Sequence, residues 1–262
     1  MNGANSFDAF ARYYDADYGT FTDDIFFYQE LARRTDGPIL ELMCGSGRLL
    51  LPLLEAGHAV VGVDVSATLL DLAHQKIYQT DRSAQATLAV TDVRNTLPKG
   101  PFAFAIVALN SFMHLDSTTD QLQVLRNIHD VLQPGGILVL DLFNPDPREL
   151  LRQSDNLVLD KTFTLPDNVS VQKWVAQSID FATQISQVTF IYDEISPAGD
   201  VRRTTLPFTM RWLYHYELEH LLARTGFVLE GVYGSYDLEE YATESELMLT
   251  IARKDVSPTG IT

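Results

Sequence analysis

Pro38-Ile-Leu-Glu-Leu-Met-Cys-Gly-Ser-Gly-Arg48 is the stretch on which the reading of this chain turns. An apolar run ends in an acid and passes into a glycine-rich turn, as a strand must to deliver a nucleotide-bearing ligand to a helix start. Downstream, His58-Ala-Val-Val-Gly-Val-Asp64 reads as a second buried strand that also ends in an acid. A carboxylate there can accept hydrogen bonds from both ribose hydroxyls of a nucleoside. A third strand, Ala86 to Thr91, runs into Asp92. Three strands ending in carboxylates at one sheet edge predict a ligand with several hydroxyl and amino donors.

Working outward, apolar runs alternate with helical patterns from Ile39 to Phe143. Strands are predicted over 39–43, 59–64, 86–91, 102–109 and 136–143, and helices over 46–56, 66–79 and 117–133. Runs such as 105–109 and 137–140 lack polar alternation, as expected of strands covered by helices on both faces. A parallel, doubly wound α/β topology follows. Ser66 and Ser117 supply helix N-caps, and Gln133-Pro-Gly-Gly136 stops a helix before the next strand.

Beyond Asp146 the period becomes two. Segments 157–165, 169–181, 185–195 and 201–212 alternate, with Val188, Phe190 and Tyr192 set against Thr189, Ile191 and Asp193, and turn-prone Pro166-Asp-Asn168 and Pro197-Ala-Gly-Asp200 lie between segments. This predicts an inserted antiparallel β meander of about four strands. A helix over 216–224 stops at Thr225-Gly226, and 227–233 and 246–252 read as two final strands. Val256 to Thr262 reads as a frayed tail. At the other end, Ser6–Tyr18 and Asp23–Arg34 read as two aromatic-rich helical stretches, whose rings serve either core packing or a lid.

The bulk composition narrows the function. A chain of 262 residues suits one elaborated α/β domain. Its 35 acids against 19 Lys plus Arg give a net charge of −16, which argues against a phosphate-backbone partner. The single cysteine, Cys44, has no internal disulfide partner, so a reducing cytoplasm is expected. No signal segment and no membrane-length apolar run is read in the sequence. No grouping of His, Cys or acids has a metal-ligand spacing, and no metal is expected.

Glu41-Leu-Met-Cys-Gly-Ser-Gly-Arg48, Val63-Asp64, Thr91-Asp92-Val93 and Leu132-Gln-Pro-Gly-Gly-Ile137 resemble, in order and spacing, the successive motifs of the class I S-adenosylmethionine-dependent methyltransferases. The resemblance covers roughly residues 36–145. It implies a mostly parallel seven-stranded sheet closed by an antiparallel hairpin, and S-adenosylmethionine as cofactor. The family usually shows Gly-x-Gly-x-Gly after the acid. Here Met43 takes the first glycine position, so its backbone is expected where a side chain is tolerated, with Gly45 and Gly47 left for the close approach to the ligand.

Carried over residue by residue, the resemblance implies that Glu41 receives the methionine ammonium, and that Gly45 and Gly47 admit the backbone to the methionine and ribose. It implies that Asp64 binds the ribose hydroxyls, that Asp92 with the amide of Val93 reads the adenine, and that the Asn110 backbone holds the methionine end. Tyr14, in Tyr13-Tyr-Asp15, resembles the aromatic segment that contacts methionine or substrate in small-molecule methyltransferases. His114, after the fourth strand, is placed where it takes a proton from an amine or hydroxyl acceptor, or where it is tied to backbone at a helix start. His58, His74, His129 and His220 are expected on solvated or packing faces. His215 faces the pocket or packs in its aromatic cluster. Cys44 reads as a buried thiol rather than a nucleophile. Asp141, Asn144 and Asp146 bind a polar substrate or cap a loop.

The expected organisation is an N-terminal helical lid over 1–36, an S-adenosylmethionine-binding domain over 37–146 plus 213–253, a β cap over 147–212 and a tail over 254–262. The expected activity is methyl transfer to a nitrogen or oxygen of a small molecule, with an amine preferred and the meander edge as a homodimer contact. Two other readings stand beside it: a nicotinamide-dependent oxidoreductase, and a non-catalytic module that binds S-adenosylmethionine.

Overall fold

In the computed structural model, residues 4–256 are described. Residues 257–262 of the expected tail and residues 1–3 of the expected lid lie outside them. The main sheet has seven strands: β1 (Ile39–Leu42), β2 (Val60–Asp64), β3 (Ala86–Val90), β4 (Phe102–Val107), β5 (Leu132–Phe143), β10 (Phe227–Tyr233) and β11 (Leu247–Lys254). Their order is β10-β11-β5-β4-β1-β2-β3. Strands β1 to β5 pair in parallel, and β11 runs antiparallel to both β5 and β10. Every residue of β1 and β4 is buried, as a strand covered on both faces requires.

The covering helices divide between the two faces. On one, α2 (Ile25–Arg33), α3 (Leu50–Glu55) and α4 (Ala67–Tyr78) bring Phe27, Leu31, Leu53, Leu54, Leu70 and Ile77 onto Ile39, Val60, Phe104 and Val139. On the other, α5 (Thr118–Val131) and α7 (His215–Ala223) bring Leu122, Leu125, Ile128, Leu218 and Leu222 onto Leu40, Ala105 and Leu138. Ser66 and Ser117 cap α4 and α5, accepting hydrogen bonds from the amides of Leu69 and Asp120.

The second sheet is antiparallel, in the order β6 (Asn156–Thr164), β7 (Ser170–Asp180), β8 (Ile185–Ile195) and β9 (Val201–Arg211). Alternate residues Val188 and Tyr192 of β8, with Val171 of β7 and Leu206 and Phe208 of β9, form one apolar face. Helix α1 (Ala4–Tyr18) covers that face with Phe10 and Tyr13. Thus α1 lies between the small sheet and the main one.

Three elements differ from the sequence expectation. The helix expected over 46–56 begins only at Leu50, because Gly45 (φ +55) and Gly47 (φ +79) hold the preceding residues in a left-handed turn. Gln133-Pro-Gly-Gly136 does not separate a helix from a strand but lies inside β5. A register shift against β4 absorbs it, with Phe102 opposite Leu132 and Phe104 opposite Ile137. An unexpected helix, α6 (Pro147–Gln153), opens the insertion, with Pro147 in its first turn and Asp146 accepting from the Arg148 amide as N-cap.

Candidate active site

The site is assembled where β1, β2, β4 and β5 end, beneath α1. Met43 (φ +55) leads out of β1 in a left-handed conformation. The expectation that its backbone sits where a side chain is tolerated concerns space alone, and the conformation adds a strain that it did not include. The side chain packs against the core, but the backbone takes the conformation that glycine adopts freely and that costs another L-residue about 1 kcal/mol. Beyond it, Gly45 donates its amide to Asp64 Oδ2 (2.9 Å), and Ser66 donates its amide to Asp64 Oδ1 (2.8 Å). These bonds bind the glycine turn to the end of β2. Gly62 permits the close packing, since a Cβ there would collide with Leu50 Cδ1 and reach within 2.9 Å of Cys44 Sγ.

Four acids gather here in different states. Glu41 is buried, and its Oε2 has no hydrogen-bond partner. Burial pushes its pKa up to about 8, although Arg48 pulls the other way. Burial also raises Asp64, against the lowering effect of the Ser66 and Gly45 amides. Asp141 is raised by burial as well, while its Oδ2 accepts from the Leu109 amide (3.1 Å), the Tyr236 hydroxyl (2.8 Å) and the Tyr28 hydroxyl (3.5 Å). Asp24 is fully buried against Arg48, with Nη1 to Oδ1 at 2.7 Å and Nη2 to Oδ2 at 2.6 Å.

Asp92 stands apart. It follows β3 as expected, but its carboxylate is held by Arg94 through both Nε and Nη2, which lowers its pKa. Val93 beside it is buried, and its carbonyl accepts from Asn127 Nδ2. Leu109 (φ +50) and Asn110 (φ +62) form a left-handed pair after β4. The Asn110 amide donates to the Asp141 carbonyl, and its Oδ1 accepts from the Phe143 amide, so Asn110 joins the ends of β4 and β5.

Helix α1 closes over this turn. The Tyr14 hydroxyl lies so near Gly45 that a Cβ on the glycine would sit 2.6 Å from it. Burial is the first cause of the raised Tyr14 pKa, followed by the charge of Asp64. Asp15 Oδ1 accepts from Ser46 Oγ (2.5 Å) and from Lys76 Nζ (2.6 Å). Asp8 Oδ1 accepts from Ser66 Oγ (2.6 Å).

His114 ends a 3-10 turn, Ser111–His114, and its ring stands edge-on between Phe7 of α1 (5.5 Å) and Phe208 of β9 (5.4 Å). Burial lowers its pKa, partly offset by a backbone hydrogen bond with Thr209. His114 is thus a neutral imidazole where the main sheet, α1 and the small sheet meet. His215 lies elsewhere, stacked on Tyr216 (4.8 Å) and edge-on to Tyr241 (5.7 Å). Cys44 is buried with its thiol pKa raised by that burial, an inert thiol.

Of Asp141, Asn144 and Asp146, the last two are engaged in building loops, Asp146 as the N-cap of α6. Asn144 Nδ2 donates to the carbonyls of Thr243 and Ser245 (2.9 Å each), and its Oδ1 accepts from the Tyr241 hydroxyl (2.7 Å). Sequence reasoning missed Arg48 and Asp24 altogether. Their one signal was an arginine directly after the glycine turn, and its partner lies before β1 in a different element.

The arrangement fits a nucleoside carrying a cationic amino-acid arm. The orphaned Glu41 Oε2 wants a donor, the left-handed turn presents bare backbone, and Asp64 keeps acceptor capacity beyond its backbone bonds. Sheet order, turn and strand-end acids together define the class I methyltransferase fold, whose members draw their methyl group from S-adenosylmethionine. Residues 39–136 match the family described as a methyltransferase domain. Residues 39–136 thus carry a methyltransferase domain on the class I fold, which together with the named relatives supports S-adenosylmethionine-dependent methyl transfer.

Among relatives, it is 29% identical over 223 residues to the cypemycin N-terminal methyltransferase of a Streptomyces species, a match covering 85% of each chain. Among solved structures, it superposes on the CcbJ methyltransferase of Streptomyces caelestis with a TM-score of 0.75 at 22% identity, over 92% of this chain and 96% of that one. It superposes on the sugar N-methyltransferase KedS8 of a Streptoalloteichus species with a TM-score of 0.73 at 17% identity, over 93% and 91%.

Proposed function

We propose that this enzyme moves the sulfonium methyl of S-adenosylmethionine to a nitrogen or oxygen of a small molecule, with an amine as the preferred acceptor. The cofactor supplies an activated methyl group whose displacement requires an in-line nucleophile. The chain's own contribution is then proximity and orientation, with removal of the acceptor's proton where one must leave. In this reading Glu41, Gly45, Gly47, Asp64, Asp92, Val93 and Asn110 hold the cofactor. Tyr14 orients the methionine end, and His114 takes the proton. The residues of 37–146 and 213–253 form the cofactor-binding unit, 147–212 the cap and 1–36 the lid.

The observation that carries the proposal is the position of His114. It is a buried neutral imidazole at the junction of sheet, α1 and cap, a few residues past the left-handed turn that ends β4. The nitrogen acceptor is further supported by the cypemycin relative, an N-terminal methyltransferase by name. The acidic surface charge of −16 supports a small-molecule acceptor over a nucleic acid, and the buried free Cys44 supports a cytoplasmic site of action. The exposed Leu157, Val158 and Leu159 on edge strand β6 support a homodimer through the cap.

Calorimetric titration with S-adenosylhomocysteine and with nicotinamide cofactors tests the first step. Tight binding of the former alone is expected, and binding of nicotinamide alone would overturn the proposal. With an acceptor in hand, His114→Ala should lower kcat roughly 100-fold for a hydroxyl acceptor and flatten the acidic limb of the pH profile. An unchanged profile would remove His114 from proton transfer.

A further inference from the structure

Resting on the cofactor reading above, we propose that Arg48 receives the carboxylate of the cofactor's methionine arm, with Asp24 as the positioning residue that orients the guanidinium. A guanidinium has five N–H donors in a planar fork, and they form two edges able to take a carboxylate bidentately. In Arg48 the terminal edge is taken: Nη1 and Nη2 donate to the two oxygens of Asp24, at 2.7 and 2.6 Å, and Nη1 donates again to the Phe21 carbonyl at 3.0 Å. The side edge, Nε with the second hydrogen of Nη2, makes no hydrogen bond among the described residues. That edge is the one by which Arg203 grips Asp193 and Arg94 grips Asp92 elsewhere in this chain.

The free edge is also held in place. The Arg48 side chain is only 9% exposed and its Asp24 partner is fully buried, so the guanidinium cannot swing into solvent. The Arg48 Cζ lies over the Phe21 ring, 5.3 Å from its centroid. The groups coupled to its charge are Asp24, Glu41, Tyr14, Asp141 and Tyr236, which gather around the ends of β1 and β5.

A second observation points to the same ligand. Glu41 Oε2 is buried without a partner, at a turn that already holds one cation with a free bidentate edge. An orphaned carboxylate oxygen beside an arginine with one open edge is the complement of an α-amino acid zwitterion, ammonium to Glu41 and carboxylate to Arg48. Lysine at 48 would keep the charge and lose the fork.

The test compares two ligands that differ only in the amino-acid arm. S-adenosylhomocysteine and 5′-methylthioadenosine are titrated into the full-length wild type, Arg48→Met and Arg48→Lys. The wild type should prefer S-adenosylhomocysteine. Arg48→Met should weaken S-adenosylhomocysteine at least tenfold and leave 5′-methylthioadenosine unchanged, with Arg48→Lys between the two. Unchanged S-adenosylhomocysteine affinity in Arg48→Met, or equal weakening of both ligands, would overturn the assignment. Because loss of the buried pair can unfold a variant, the wild type is also titrated with decarboxylated S-adenosylhomocysteine. A loss of tenfold or more supports the role, and equal affinity refutes it. A wild type that binds none of these ligands overturns the cofactor reading itself, an outcome distinct from binding without discrimination.

Discussion

Helix α1 is bonded to the two sheets in different ways. Toward the small sheet it offers Phe10 and Tyr13 to an apolar cluster, and the Tyr13 ring stacks on Tyr192 at 4.3 Å. On that same flank Asp17, fully buried, meets Lys173 Nζ at 2.9 Å and the Tyr192 hydroxyl at 2.8 Å. Toward the glycine turn Tyr14 lies against Gly45, and the polar contacts around it are partly solvated: Asp15 with Ser46 and Lys76, Asp8 with Ser66. Buried apolar area is lost whole when an interface parts, whereas a half-exposed ion pair exchanges readily for water and is worth at most about 1 kcal/mol. The difference teaches that α1 belongs energetically to the small sheet, and that its boundary with the glycine turn is the weaker one.

The largest effect should come from the cap flank. Asp17→Ala leaves Lys173, which is only 3% exposed, with Asp160 as its one remaining carboxylate and takes the acceptor from the Tyr192 hydroxyl, and should destabilise the protein by about 3–5 kcal/mol in urea unfolding. If it costs no more than Asp15→Ala, the two flanks are equivalent and the comparison fails.

Next in size is Glu41, whose pKa of about 8 lies above its ordinary value near 4.5. A carboxyl raised in the folded state favours folding fully below the unfolded pKa. That contribution is lost as pH rises from about 4.5 through about 8. Glu41→Gln has no such titration. It should therefore gain stability over the wild type progressively through that window, reaching about 3 kcal/mol by pH ~7, measured by denaturation at successive pH values. In the wild type, binding a ligand that bears an ammonium should release a proton near neutral pH, and the variant should release fewer.

Asp64→Ala removes the acceptor that joins the turn to β2, and should weaken S-adenosylhomocysteine at least tenfold, about 1.4 kcal/mol. Unchanged affinity would move the ribose away from Asp64. The smallest change in stability should come from Asp15→Asn, below about 1 kcal/mol, because both partners of the Lys76 pair are partly solvated. Its signature should be kinetic instead, with faster dissociation of S-adenosylhomocysteine in stopped-flow fluorescence. An unaltered rate would mean that this flank does not limit release.

Legibility followed the range of the forces. Strands β7, β8 and β10, the caps at Ser66 and Ser117, and the change to a two-residue period after Asp146 rest on local alternation and short side-chain to backbone bonds, and all were readable. The start of α3, the course of β5 through Pro134 and the strain at Met43 were not, since each is imposed by a neighbouring strand or turn.

The sequence by itself determined the doubly wound sheet, the inserted meander and the row of strand-end acids, because burial period and turn chemistry are written in consecutive residues. Only the tertiary structure decided which partner each acid takes. Asp92 is taken by Arg94, Asp141 by two tyrosines from distant elements and Asp24 by Arg48, while Glu41 keeps an unpartnered oxygen. Hydrogen bonds and charge pairs in a buried site form between groups that meet only after folding, so their allocation is a property of the packed molecule.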